Sequence, residues 1–276
     1  DKRIKIDSKI KADKEVNLFM AGDSSQPFPG LIATCSPGAR IDRLEKRTWR
    51  LQIPPGNARQ YRLAQFDDYH HLARKTFPWH TGCAFRLAAR ASEGAIPGTW
   101  GFGFWNDPFS MGLLGGGGRV RWPVFPQAAW FFFASHANFL SIRDGLPGTG
   151  CLAMTYAQPG FWGRSICLGI PMTPLLVIRP LARIARRILG RVVNQDAYNV
   201  DMDPTLWHSY RLKWEKEKVV FEVDHQTAFE TPISPDGPLG FVLWIDNQYA
   251  KFTPDGQLGY GFLSNPVATS KESQGI

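Results

Sequence analysis

Apolar and polar side chains alternate along much of this chain, and a period of two predicts strands with one buried face. Tyr210-Arg211-Leu212-Lys213-Trp214 and Val219-Val220-Phe221-Glu222-Val223 largely follow it, joined by a short Glu215–Lys218 connection. After an Asp224-His225 turn, Ala228 to Pro232 supplies a return strand. Arg47 to Ile53 reads as another strand, closed by Pro54-Pro55-Gly56, and Tyr61 to Phe66 as the next. Gly240-Phe241-Val242-Leu243-Trp244-Ile245 is an unbroken apolar run, the pattern of a strand covered on both faces. Ile4, Ile6 and Ile10 among lysines predict an edge strand, whose charges discourage strand addition by other chains.

Only one segment, residues 171–193, carries a strong helical period. On a wheel, Arg179, Arg183, Arg186, Arg187 and Arg191 fall on one arc, opposite Leu181, Ile184, Ala185, Ile188, Leu189 and Val192. Pro180 suits a first helical turn. A cationic arc beside an apolar one fits an interfacial helix whose five arginines face an anionic membrane surface. The other reading is a helix that caps the protein with its apolar arc and leaves the arginines in water. The apolar approach through Phe161-Trp162 and Leu175-Leu176-Val177-Ile178 favours the first. No run has the roughly 18 apolar residues of a membrane span, so any membrane association is expected to be peripheral.

Trp207-His208-Ser209-Tyr210-Arg211-Leu212, the hairpin at Asp224 and the motif Trp244-Ile245-Asp246-Asn247-Gln248-Tyr249 resemble the late strands of family 16 glycoside hydrolases, members of the concanavalin A-like group. Upstream, Cys83 to Ala91 followed by Gly98 to Trp105 is similar to that family's paired strands. The resemblance implies an all-β, jelly-roll sandwich of two antiparallel sheets, here with the basic helix inserted. It also implies a strand bearing Glu-x-Asp-x-(x)-Glu, whose alternate acids share one cleft. That triad is absent. Ala128 to His136 holds no carboxylate, and Glu222-Val223-Asp224-His225-Gln226 lacks the final acid and lies at a hairpin. The resemblance therefore implies a non-hydrolytic module that binds an elongated glycan or amphipathic ligand. A structural calcium is admitted by analogy, with no ligands to assign; no other cofactor is expected.

At 276 residues with 43% hydrophobic content, one sandwich domain spanning 1–276 with a helical insertion at about 171–193 accounts for the chain. Ten tryptophans suit a ring-lined groove as well as a core. A formal charge of +8 favours anionic partners such as lipid headgroups, acidic glycans or nucleic acid, and a further reading has the helix and aromatic surface attach the protein to a membrane complex as an accessory subunit. Nucleic acid is disfavoured, because the arginines and the rings occupy different segments. Cys35, Cys83, Cys151 and Cys167 have no metal-ligand spacing, so no metal site is expected. The Asp1-Lys2-Arg3-Ile4-Lys5 start has no apolar signal core, which leaves the compartment open.

Within the aromatic segments, Trp100, Trp105, Trp130 and Trp244 are the expected ligand contacts, with Asn247 and Tyr249 beside them. The glycines of Trp100-Gly101-Phe102-Gly103-Phe104-Trp105 would leave room on one face for a ligand or a second backbone. Gly115 to Gly118 lacks the features of a phosphate loop and suits a rim or lid. An alternative is an enzyme acting on a lipid-like or isoprenoid substrate, with Asp107 or Asp246 as acid and His136 or His70 as base, provided that their loops open onto one cleft. Asp67-Asp68-Tyr69-His70-His71 concentrates further acids and imidazoles, as solvated loops also do.

Overall fold

Alternation along the strands resolves into two stacked sheets. The computed structural model describes residues 14–15, 30–45, 47–108, 119, 121–158 and 178–275. The first sheet runs β13 (Gln226–Thr231), β12 (Val219–Val223), β11 (His208–Trp214), β6 (Cys83–Ala91), β17 (Thr269–Gly275), β4 (Thr48–Ile53) and β3 (Arg40–Glu45). A short β1 (Lys14–Glu15) joins β6 in parallel; the other pairs are antiparallel. The second sheet runs β10 (Asn194–Asn199), β9 (Gly150–Ala157), β8 (Ala128–Ala134), β7 (Thr99–Trp105), β14 (Gly240–Asp246), β5 (Leu63–Asp67) and β2 (Ile32–Cys35), all antiparallel. A hairpin of β15 (Gln248–Phe252) and β16 (Leu258–Phe262) stands apart from both, and the helix α1 spans Arg179–Val192. The expected edge strand, the glycine run and the apolar approach at 161–162 and 175–177 lie outside the described residues.

Between the sheets, Leu51, Phe85, Leu87, Tyr210, Leu212, Trp214 and Phe221 from the first meet Phe66, Phe102, Phe104, Phe131, Phe241 and Leu243 from the second in one core. The outer face of the first sheet is wet and charged, with Glu272 bridging Arg50 and Arg90. The second sheet differs. Every residue of β5, β8 and β14 is buried, so its outward face is covered too. The unbroken apolar run at Gly240–Ile245 has this cause: neither face of β14 meets solvent.

The middle of the first sheet is occupied by a strand of polar composition. Thr269, Lys271 and Ser273 of β17 point into the core, each fully buried. Lys271 crosses the sandwich, its Nζ donating to the Gly101 carbonyl at 3.0 Å and lying 4.3 Å from the Phe102 ring centre.

α1 is turned differently from either reading of its wheel. Arg186 is 1% exposed, and its guanidinium donates to the Ser141 and Phe252 carbonyls and pairs with Asp144. Arg186 therefore cannot face a membrane; it clamps the helix to the body, with the Phe139 and Phe252 rings against it. Arg183 reaches the Asp255 carbonyl at 2.8 Å. Among the described residues, no helix is long and apolar enough to cross a membrane.

Burial holds the Lys271 amine well below its ordinary range. An unfolded chain then binds a proton that the folded one resists, so this residue's contribution to stability rises with pH up to its unfolded value. Lys271→Met should stabilise the fold at pH 7 by on the order of 1 kcal/mol in urea unfolding, a gain that shrinks towards pH 10.

Candidate functional site

The outward face of the second sheet can be laid out in rows from its register, since directly paired residues share a face. One row runs Tyr156, Ala128, Trp105 and Gly240; the next Ala197, Met154, Trp130, Gly103, Val242 and Asp67. A third runs Leu152, Phe132, Gly101, Trp244 and Gln65, and a fourth Ala134, Thr99, Asp246 and Leu63. The glycines of β7 thus leave a trough between β8 and β14, and neighbouring indoles fill it. A Cβ at Gly101 would come within 2.6 Å of the Trp244 ring, and one at Gly103 would collide with Trp130. The room expected for a ligand at these glycines is taken by side chains of the same sheet.

Those side chains form a continuous ring cluster. Trp130 lies 5.6 Å from Trp105, 5.8 Å from Trp244 and 5.1 Å from Phe132, centre to centre. Tyr69 extends it beyond Trp105 at 6.1 Å. Loops cover the cluster through Leu72, Phe77, Phe125, Leu140, Ile142 and Leu146, helped by Leu189 of α1. Not every polar atom in it is satisfied. The Trp244 indole donates to Thr99 Oγ1 at 3.0 Å, but among the described residues the indole nitrogens of Trp105 and Trp130 and the Tyr69 hydroxyl are buried without a hydrogen-bond partner of normal geometry. Trp105 and Tyr69 are close enough for the indole to oppose the upward push of burial on the phenol, without forming a bond of normal geometry.

Polar groups flank the rings at both ends of the sheet. At one end, Asp246 accepts from Thr99 Oγ1 at 2.7 Å, the Gln248 amide at 3.2 Å and the Tyr61 hydroxyl at 3.3 Å. Desolvation pushes its carboxyl up to about 7, against these bonds. At the other end, fully buried Asp67 accepts from Gln65 at 2.9 Å and lies 3.4 Å from His70 Nδ1. Neighbouring Asp68 is held by the Trp79 indole and the Phe241 amide, and burial raises it to about 7 as well.

Of the residues singled out from sequence, Trp105, Trp130 and Trp244 come together on this face. Trp100 does not: it points the other way, into the inter-sheet core, stacked on Phe133 at 3.5 Å. Asn247 is saturated, its side chain accepting from the Arg62 amide and donating to the Gln60 and Leu263 carbonyls. Tyr249 packs across its hairpin over Gly259 and Gly261. His136 is exposed in the turn after β8. Asp107 is buried against Arg121, whose Nη1 donates to it at 2.6 Å while the same guanidinium binds the Tyr69, His70 and Leu72 carbonyls. That pairing makes Asp107 part of a clamp between the loops that carry Arg121 and Tyr69.

The enzyme alternative needed these acids in one cleft, and the register separates them. Asp246 pairs with Thr99 at one end of β7, whereas Asp107 lies just beyond Trp105 at the other, and the strand between those ends is about 20 Å long at the rise of a strand. The outward face of β8, where the family resemblance would place the triad, carries Ala128, Trp130, Phe132 and Ala134. The two carboxylates that do share the face, Asp67 and Asp246, are about 13 Å apart along the sheet, beyond the 5–9.5 Å of glycosidase pairs. Among the described residues, no group of three or more His, Cys, Asp or Glu side chains could hold a metal ion.

Asp246 is more easily protonated in the fold than unfolded, so its contribution to stability falls as pH rises from about 4 through 7. Asp246→Asn should remove much of that fall. The variant should exceed the parent by a few kcal/mol at most at pH 8, on the order of the shift itself, and match it near pH 4 in thermal or urea unfolding. Asp68 adds a second contribution of the same sign, which Asp68→Asn would isolate.

No protein-family model matches the chain, and no curated protein matches it. Solved structures similar to it include the κ-carrageenase of Pseudoalteromonas carrageenovora in complex with an oligosaccharide of κ-carrageenan, at 10% identity over 93% of this chain and 89% of that one, with a TM-score of 0.45. The endo-β-1,4-glucuronan lyase of Trichoderma reesei is similar at 11% identity, 95% and 91% coverage and a TM-score of 0.42. A glycoside hydrolase family 16 endo-glucanase from Bacteroides ovatus is similar at 10% identity, 87% and 85% coverage and a TM-score of 0.42. At these values no residue role and no activity passes from them to this chain.

Proposed function

We propose that the outward face of the second sheet binds an elongated glycan or a similarly amphipathic ligand without hydrolysing it, the ligand displacing the loops around Leu72, Phe125 and Leu140 that cover the rings in the unliganded protein. One observation carries this reading: two hydrogen-bond donors, on Trp130 and Tyr69, are buried among rings with no acceptor among the described residues, and the Trp105 indole reaches only the Tyr69 oxygen, without a bond of normal geometry. A buried donor left unmet costs about 1–3 kcal/mol, which makes such a cluster expensive in an unliganded protein. A ligand that offers flat C–H faces to the rings and oxygen acceptors to the donors recovers that cost. Sugars have both surfaces on one molecule. Among the described residues this face carries no carboxylate pair at bond-breaking separation, which favours retention over cleavage. Attachment to a lipid surface is a separate proposal, carried by α1 and not by these rings.

The test separates donor from ring. Trp130→Phe and Tyr69→Phe each keep an aromatic side chain and delete one unmet donor. Each should weaken retention on an oligosaccharide panel by about tenfold, while the unliganded protein melts at the same or a higher temperature. Undiminished binding by both variants, or no retention of any panel member by the parent, rules the reading out.

A further inference from the structure

α1 is an inverted amphipathic helix. Its inward side is built from Ala182 and Arg186, both buried, and half-buried Leu189, while Leu181, Ile184 and Ile188 are 38%, 52% and 55% exposed. Ile178, at the cap, is 51% exposed. A helix that only caps a soluble protein does the reverse, because burying a branched aliphatic side chain is favourable by roughly 1.5–3 kcal/mol and burying a guanidinium is costly. At about 100° per residue, Ile178, Leu181, Ile184, Ala185, Ile188 and Val192 trace one stripe. Exposed Arg187 and Arg191 flank it on one side, and the helix contains no acidic residue.

We propose that this stripe docks the protein on an anionic lipid bilayer, with α1 lying in the plane of the interface. Charge complementarity selects the occupant: the aliphatic stripe enters the boundary between headgroups and acyl chains, and Arg187 and Arg191 beside it meet lipid phosphates. A formal charge of +8 on the whole chain adds long-range attraction to the same surface. The helix is presented already folded. The Arg186 clamp to Ser141, Asp144 and Phe252, with Arg183 on the Asp255 carbonyl, fixes its inward side to the body, so docking carries no cost of forming the helix. The arginines thus divide their work: Arg186 holds the helix, and Arg187 and Arg191 face the lipid.

The full chain sedimented with vesicles of phosphatidylcholine plus phosphatidylserine tests the proposal, with pure phosphatidylcholine vesicles as the comparison. Binding should appear on the anionic vesicles, weaken in high salt, fall at least tenfold in the double variant Ile184→Asp, Ile188→Asp, and fall several-fold in Arg187→Glu, Arg191→Glu. Both pairs are exposed, so melting temperatures should match the parent. No sedimentation of the parent with anionic vesicles overturns the proposal, as does parent-like binding by the isoleucine variant. So does a parent dimer in size-exclusion chromatography that the isoleucine variant turns into a monomer, since the stripe would then be an interface between copies of this chain. Loss of vesicle binding with glycan retention unchanged leaves the ring cluster's role standing, so the two readings fail separately.

Discussion

The second sheet depends on β7 having no side chains where β8 and β14 need space. Trp130 and Trp244 come from the strands on either side; the Trp244 ring lies over Gly101, and the Trp130 Cα and Cβ press on Gly103. A β-carbon at Gly101 would push the Trp244 indole away, and one at Gly103 would force β8 itself to shift. The same two glycines let Trp100, Phe102 and Phe104 fill the inter-sheet core on the opposite face, because alternation leaves that side of β7 free for large rings. One strand, by being empty on one side and full on the other, sets the packing of both layers.

This arrangement explains how much of the protein could be read from its residues. Strands with one wet face announced themselves by alternation, as in β11 and β6, and β14 by an unbroken apolar run. What escaped was direction. Ring and glycine alternate in Trp100 to Phe104, and sequence does not say which set faces the other sheet; that Trp100 and Trp105 cannot share a face, however, follows from their odd separation of five residues, against the expectation that both meet one ligand. Phe132 and Thr99 line the cluster, and their parity with Trp130 and Gly101 is the available signal; Tyr69, in the loop after β5, has none. β17 gave none, since Thr269, Lys271 and Ser273 face inward and read as a polar tail.

Buried charge follows a common logic here. Asp107 with Arg121, and Arg186 with Asp144 and two carbonyls, sit where irregular loops pass over the second sheet and leave backbone oxygens away from water. A guanidinium supplies several donors in a fixed fork and satisfies many such oxygens at once. The densest polar groups on the chain, which invite a catalytic reading, are thereby occupied in holding loops. Among the rings of the outward face, by contrast, the Trp130 indole and the Tyr69 hydroxyl find no such partner among the described residues.

The position of β17 bears on how the chain reaches this state. Residues 269–275 insert between β4 and β6, strands formed by residues some two hundred positions earlier, so the two halves of the first sheet are not joined to each other until this segment arrives. Closure is therefore a non-local event of high contact order, and it falls after the strands it joins have left the ribosome. Lys271 makes the closure checkable at a single atom. Only when the final strand seats does an amine reach the Gly101 carbonyl in the opposing layer.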